Sequence, residues 1–178
     1  MRIIGGSLKG KIISPPRGFN ARPTTDFAKE GLFNTIINQL NPEEISVLDL
    51  FSGTGSITYE FASRGCQDIV AVEMNPLHAN FIKSNIKNLN IPRAHIVRHN
   101  VFDFIDICTK QFDLIFADPP YDISNLEGIP DKILSNKQIL RPGGLLIFEH
   151  PAEHNFTKHS AFLKEKKYGN VHFSFFSV

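Results

Sequence analysis

The chain has 178 residues, 42% of them hydrophobic and 21% charged, which is ordinary globular composition and enough to bury one core. Two cysteines, Cys66 and Cys108, exclude a disulfide scaffold and most structural zinc sites, and no apolar run reaches the roughly 18 residues of a membrane span. The net charge of +1 hides an asymmetry: residues 1–30 hold six basic and two acidic groups, while the other 148 hold 13 basic and 16 acidic. A basic start on a mildly acidic body fits a nucleic-acid phosphate backbone, or simply a solvated hairpin. A soluble domain of a reducing, cytoplasmic compartment is expected.

In chain order, Ile3–Ile4 and Ile12–Ile13 flank a Gly- and Lys-containing connection and predict a small β-hairpin. Pro15, Pro16, Gly18 and Pro23 mark an irregular loop. A helix is predicted from Thr24 or Thr25, with Phe27, Leu32, Phe33, Ile36, Ile37 and Leu40 as its apolar stripe. Strands then alternate with helices. The strands are Ile45–Leu50, Asp68–Glu73, Ala94–His99, Phe112–Ala117 and Leu145–Glu149. The helices are Ser56–Arg64, Pro76–Asn88, a short piece over Val101–Cys108, and a long one within residues 125–138. Near-continuous apolar strands separated by helices predict a doubly wound, mostly parallel sheet. Phe162–Tyr168 and Val171–Val178 are joined only by Gly169-Asn170, too short for a crossover, so this pair must be antiparallel. The expected architecture is therefore α/β: a seven-stranded sheet with an antiparallel C-terminal hairpin. Residues 1–23 form a basic hairpin and loop, and residues 24–178 the main domain.

Candidate binding residues collect at strand ends. Asp49 ends the first strand and runs into Gly53-Thr54-Gly55, where ligands bind in open parallel sheets. Glu73 ends the next strand and can accept two ribose hydroxyls. The full GxGxxG pattern is missing, which disfavours a dinucleotide, and no GxxxxGK[ST] loop exists. Asn100 suits an adenine edge or an Asx turn equally. Asp118-Pro119-Pro120-Tyr121 closes the fourth strand. That stiff turn can present a carboxylate, a carbonyl and a ring to a planar base bearing an exocyclic amine. The cysteines and the scattered histidines show no ligand spacing, and no metal is expected. His150 and His154 lie near a cofactor-side loop, and Glu149 receives no chemical role.

The ordered set of motifs resembles the bacterial small-subunit ribosomal RNA guanine-N2 methyltransferases. It comprises Met1-Arg-Ile-Ile-Gly-Gly6, Arg22-Pro-Thr24 with Asp26, Leu32-Phe33-Asn34, Val47-Leu-Asp-Leu-Phe-Ser-Gly-Thr-Gly-Ser56, Ser63-Arg-Gly65, Val72-Glu73, Phe112-Asp113, Asp118-Pro-Pro-Tyr121, Pro142-Gly-Gly144, Glu149 and Lys166-Lys-Tyr-Gly169. The resemblance implies a Rossmann-like domain that uses S-adenosylmethionine. It implies that Asp49, Gly53, Gly55, Glu73, Asn100, Val101 and Thr24 bind cofactor. It implies that Asp118, Pro119 and Tyr121 position the guanine amine. Arg2, Lys9, Lys11, Arg17 and Arg22 would contact RNA phosphates. Two positions depart from the family pattern. Asn100 stands where an acidic residue is common. The helix start Asp26-Phe-Ala-Lys-Glu-Gly31 is less basic than usual, with Lys29 as a substitute RNA contact.

The expected reaction is methyl transfer to guanine N2 of 16S rRNA, in a small ribosomal subunit or an assembly intermediate, by a monomer. An adenine-N6 methyltransferase, a noncatalytic RNA-binding protein of the same fold and an NAD-dependent oxidoreductase are the rivals.

Overall fold

The computed structural model describes residues 1–16, 18–19 and 24–178. The expected contacts of Arg17 and Arg22 lie outside the described residues. Among the described residues, five α-helices surround one seven-stranded sheet. The helices are α1 (Asp26–Ile37), α2 (Ser56–Ser63), α3 (Pro76–Asn88), α4 (Val101–Ile107) and α5 (Ile129–Ser135). The strands are β1 (Ser46–Leu50), β2 (Asp68–Val72), β3 (Ala94–Val97), β4 (Phe112–Ala117), β5 (Leu140–Pro151), β6 (Phe162–Tyr168) and β7 (Val171–Ser177). Their order is β3-β2-β1-β4-β5-β7-β6. The first five are parallel, and β7 inserts antiparallel between β5 and β6.

Strand order reverses between β1 and β4, where Leu48 pairs with Ile115 and Leu50 with Ala117. Strands β1 and β4 are apolar on both sides because both faces are covered. One face packs Val47, Leu114, Phe116, Ile147, Phe173 and Phe175 against α1 and α2. The other packs Leu48, Ile115, Leu146, Phe148 and Phe176 against α4 and α5. Phe173 and Phe175 thus point opposite to Phe176, as strand alternation requires.

The expected N-terminal hairpin is present and short: Met1 and Ile13 exchange both N–H···O bonds at 2.9 Å, the Ile3 N–H donates to Lys11 O at 2.9 Å, and Arg2 bridges Ile12. Ile3 and Ile13 are buried with α1 and α2 in the same core, so the hairpin packs onto the domain. Three expectations need correction. Phe27, assigned to the apolar stripe of α1, is 69% exposed, and Ile37 is also exposed. The hairpin and Thr25, the N-cap that accepts from the Ala28 N–H, set the rotation of α1 so that Leu32, Phe33 and Ile36 face inward. The long helix within residues 125–138 is a 3-10 turn (Leu126–Gly128) leading into the seven-residue α5, interrupted where Pro130 removes an N–H. Finally, β5 begins at Leu140, and the Arg141–Gly144 stretch bulges out before pairing with β4 resumes at Leu145.

Candidate functional site

The carboxyl ends of β1 to β5 open on one cavity of about 630 Å³. Of the expected cofactor and amine residues, Thr24, Asp49, Gly53, Glu73, Asn100, Val101, Asp118, Pro119 and Tyr121 all line it, while Gly55 sits behind, as the N-cap of α2.

The β1–α2 turn is built from unusual backbone. Phe51 has φ +58°, Gly53 +54° and Gly55 +79°. A β-carbon on Gly55 would also lie 2.8 Å from the Tyr59 ring, so glycine is required there twice over. Gly55 gives α2 no side-chain cap, the Thr58 N–H goes to Asp49, and Ser56 and Ile57 at the helix start line the cavity. Ser56 Oγ is buried there and has no hydrogen-bond partner among the described residues. The first two residues of the helix, without a cap from Gly55, and an unsatisfied hydroxyl together suit a carboxylate.

Glu73 leaves β2 with both oxygens held. Oε2 accepts from the Gly53 N–H at 2.8 Å, and Oε1 accepts from the Asn75 N–H at 2.7 Å. Each oxygen keeps a lone pair for a diol. Asn100 is the N-cap of α4. Its Oδ1 accepts from Phe102 N–H and, at 3.4 Å, from Asp103 N–H. Both partners are N–H donors, so the amide orientation is fixed, and its NH2 lies 3.7 Å from Met74 Sδ. Asn100 therefore makes the Asx-type cap that the sequence allowed and offers the cavity a donor. Phe51, Phe102, Met74 and Ile123 add apolar walls that suit a flat ring.

Four carboxylates converge. Asp49 is 1% exposed, and its Oδ2 accepts from Thr58 N–H at 3.1 Å and Thr58 Oγ at 2.5 Å. Burial, then the charge of Glu73, pushes its pKa up to about 7. Burial, then the charges of Glu149 and Asp49, holds the Asp118 carboxyl well above the usual range. Glu149 is buried on β5 and ties the far wall together. Thr24 Oγ donates to Oε2 at 3.2 Å and Tyr121 Oη donates to Oε1 at 3.4 Å. Glu149 therefore bridges the α1 entry to the Asp118–Tyr121 turn, a role that the sequence reading did not assign. Ser56, Met74 and His78 were also missed: Ser56 closes the glycine-turn motif but was given no role, and Met74 and His78 belong to no motif and reach the cavity only through the fold.

The basic residues divide. Lys9 and Lys11 are exposed at the hairpin tip, and Arg2 is exposed but pairs with Asp26 at 3.0 Å. Lys29 is 1% exposed, so it cannot be the substitute RNA contact. Its Nζ donates to Arg2 O at 2.6 Å and pairs with Glu60 at 3.1 Å. Glu60 also accepts from the Ile4 N–H and pairs with Arg64. Lys29 thus locks the hairpin, α1 and α2 together. His150 points to the opposite sheet face, toward Phe156 and Ser174, and burial lowers its pKa. His154 pairs with Glu127. Neither lines the cavity.

A family model described as "Conserved hypothetical protein 95" matches residues 1–177. A Haemophilus influenzae protein named ribosomal RNA small subunit methyltransferase D is 31% identical over 153 residues, covering 84% of this chain and 78% of its own. A solved Thermus thermophilus protein, described as hypothetical, superposes with TM-score 0.88 at 25% identity, covering 100% of this chain and 99% of that one. A Thermus thermophilus 16S rRNA guanine N2 methyltransferase, solved with S-adenosylmethionine and guanosine, superposes at TM-score 0.69 and 21% identity, covering 89% of this chain and 44% of that one. At that identity the likeness is one of fold. The full-length family match, on a sheet whose strand ends carry this cavity, places the chain in the Conserved hypothetical protein 95 family, as a relative of ribosomal RNA small subunit methyltransferase D.

Proposed function

We propose that this protein transfers a methyl group from S-adenosylmethionine to the exocyclic N2 amine of a guanine in 16S rRNA, within a small ribosomal subunit or an assembly intermediate. The observation that carries the reading is the convergence of two recognition elements on one cavity. Glu73, Ser56 and the α2 start suit an adenosyl amino acid. Asp118, Pro119 and Tyr121 suit a base amine. The names of the Haemophilus influenzae and Thermus thermophilus methyltransferases point the same way.

The residues fit the cofactor. Glu73 would accept from the ribose hydroxyls, while Ser56 Oγ and the first α2 N–H groups would take the amino-acid carboxylate. Bound S-adenosylmethionine supplies a methyl group on a positively charged sulfur. The carboxyl cluster around the cavity favours that charge, and the positive sulfur in turn would draw Asp49 and Asp118 toward their ionised forms. The Asp118 carboxylate and the Pro119 carbonyl would each accept one amine N–H, turning the nitrogen lone pair toward the methyl group. Asp118 would hold the proton that the amine gives up. The Tyr121 ring, pinned through its hydroxyl on Glu149, would stack on the base. Orientation supplies much of the barrier reduction in such a transfer, and the apolar walls exclude water. The guanine must leave its stack to reach Asp118, at a cost of a few kcal/mol unless already looped out. Lys9 and Lys11 would hold phosphates and set register.

The test is transfer of labelled methyl from S-adenosylmethionine to unmodified small subunits, with naked 16S rRNA and DNA in parallel, followed by nucleoside analysis. N2-methylguanosine from the ribosomal substrate is expected. N6-methyladenosine would replace the base assignment, and cofactor binding without transfer to any of the three would overturn the reading.

A further inference from the structure

Outside the cavity, on the opposite sheet face, three ligating side chains meet across β5, β7 and β6. His150 and His172 are directly paired residues of β5 and β7, and Glu165 comes from β6. Glu165 Oε1 lies 3.0 Å from His172 Nδ1 and 3.9 Å from His150 Nε2. One ligand atom from each residue falls within 4.8 Å of the others. Ligands of a tetrahedral zinc ion stand about 2.0–2.2 Å from the metal, hence roughly 3.3 Å from each other. The three atoms are therefore within small side-chain rotations of closing on one ion.

His150 already has the protonation of a ligand, whereas His172 Nδ1, which faces the acceptor-only Glu165 Oε1 at 3.0 Å, carries a hydrogen that it must give up to an incoming ion. His150 Nδ1 sits 2.9 Å from the Pro151 carbonyl, which can only accept, so Nδ1 carries the hydrogen. The lone pair is then on Nε2, the atom that faces Glu165 and His172. A ligating histidine whose other ring N–H is held by a backbone carbonyl is the usual outer-shell arrangement of metal sites. His150 is fully buried and His172 is 7% exposed, so their rings are held by packing.

We infer that His150, Glu165 and His172 form a binding site for one borderline transition-metal ion of the Zn2+ class, clamping β5, β7 and β6 together. Two imidazoles and one carboxylate favour such an ion over Mg2+ or Ca2+, which take oxygen-rich sets. The clamp sits next to Glu149 in β5 and to the Asn170–Val171 turn, both of which line the cavity. Its role is structural: it holds the far wall in register.

Three interactions compete with the ion, the first being the His172 Nδ1–H bond to Glu165 Oε1, whose proton the ion displaces. The Ser174 hydroxyl lies 2.8 Å from His150 Nε2 and donates to its lone pair. Lys167 Nζ lies 3.1 Å from Glu165 Oε2, with its side chain 63% exposed and free to swing away. This competition gives the site a signature that an adventitious surface histidine lacks.

The experiment uses the full chain without an affinity tag, titrated with Co2+ and then Zn2+. One Co2+ per chain is expected, with visible d–d absorption that Zn2+ displaces, and Zn2+ should raise the thermal midpoint. His172→Ala should weaken Co2+ binding at least about tenfold. Glu165→Gln, at a partly exposed position, serves the same purpose with little risk to folding. Ser174→Ala should bind equally or more tightly. Three outcomes would each overturn the site: no saturable binding in the wild type, equal affinity in both ligand variants, or thiolate charge-transfer absorption that moves the ion to Cys66 or Cys108.

Discussion

Asn100 shows how one atom decides a contact. Its oxygen is consumed in capping α4, so only an amide donor faces the cavity. An aspartate could cap with one oxygen and present the other as a charged acceptor. Asn100→Asp should therefore tighten S-adenosylmethionine binding by about fivefold, from roughly 1 kcal/mol of charge-assisted hydrogen bonding; isothermal titration would read it. Asp118→Asn keeps the shape but gives the amine a donor to face. It should lower kcat by at least about a hundredfold while the cofactor Kd moves little, and near-normal turnover would remove Asp118 from the amine site. Asp49 gives a pH dependence. Its carboxyl pKa is raised by folding from 3.8 to about 7, so the folded state holds more protons than the unfolded state between those values. Stability from this group is greatest below about pH 4 and is lost as pH rises through about 7. Asp118 shifts in the same direction. Comparing thermal midpoints of wild type and Asp49→Asn from about pH 4.5 to about pH 8 should show the ligand-free wild type falling relative to the variant.

Among the elements, α1 carries the sharpest packing constraint. Gly31 lies mid-helix, where Ala would ordinarily gain up to about 1 kcal/mol. Here a β-carbon would stand 2.0 Å from the Tyr168 ring of β6. The clash wins: Gly31→Ala should destabilise by about 1–3 kcal/mol in denaturant melts, and Tyr168→Ala in the same chain should relieve most of that strain. This bears on what could be read in advance. The strand–helix alternation and the antiparallel last pair were legible because apolar runs and short links leave few alternatives. The cavity residues at β1, β2 and β4 were legible because Gly53, Glu73 and Asp118 sit at strand ends with chemistry attached. Phe27 and Lys29 were misread because a helical stripe fixes periodicity but not phase. The hairpin and Glu60 set that phase, and Glu60 lies 31 residues from Lys29 along the chain. Glu149 was under-read because its partners, Thr24 and Tyr121, are brought to it only by the sheet.

For the whole molecule, the basic hairpin is tied to α1 and α2, which border the cavity at Thr25 and Ser56, through the Lys29–Glu60–Arg64 network. Removing one member of a buried pair leaves an uncompensated charge. Lys29→Met should cost about 3–5 kcal/mol, measured by chemical unfolding. Lys9 and Lys11, by contrast, can be neutralised without touching the core. Lys9→Gln with Lys11→Gln should leave the thermal midpoint unchanged, weaken RNA binding and reduce the log–log salt slope by about 1.4–1.8. An unchanged slope would show that these lysines do not meet phosphates. No helix among the described residues is long and apolar enough to cross a membrane.

The placement of β7 between β5 and β6 has a consequence for synthesis. A ribosome makes β5 first, then β6, and only then the strand that joins them. Until β7 emerges, β5 has an open apolar edge beyond Leu146 and Phe148, and β6 has no partner in the sheet. The nascent chain must hold the parallel strands together while β6 waits for β7, with an unpaired edge prone to association. A stall or a proteolytic nick between Tyr168 and Val171 before β7 pairs would be as damaging as a core mutation, although it falls in a short exposed turn, because it costs the sheet the strand between β5 and β6.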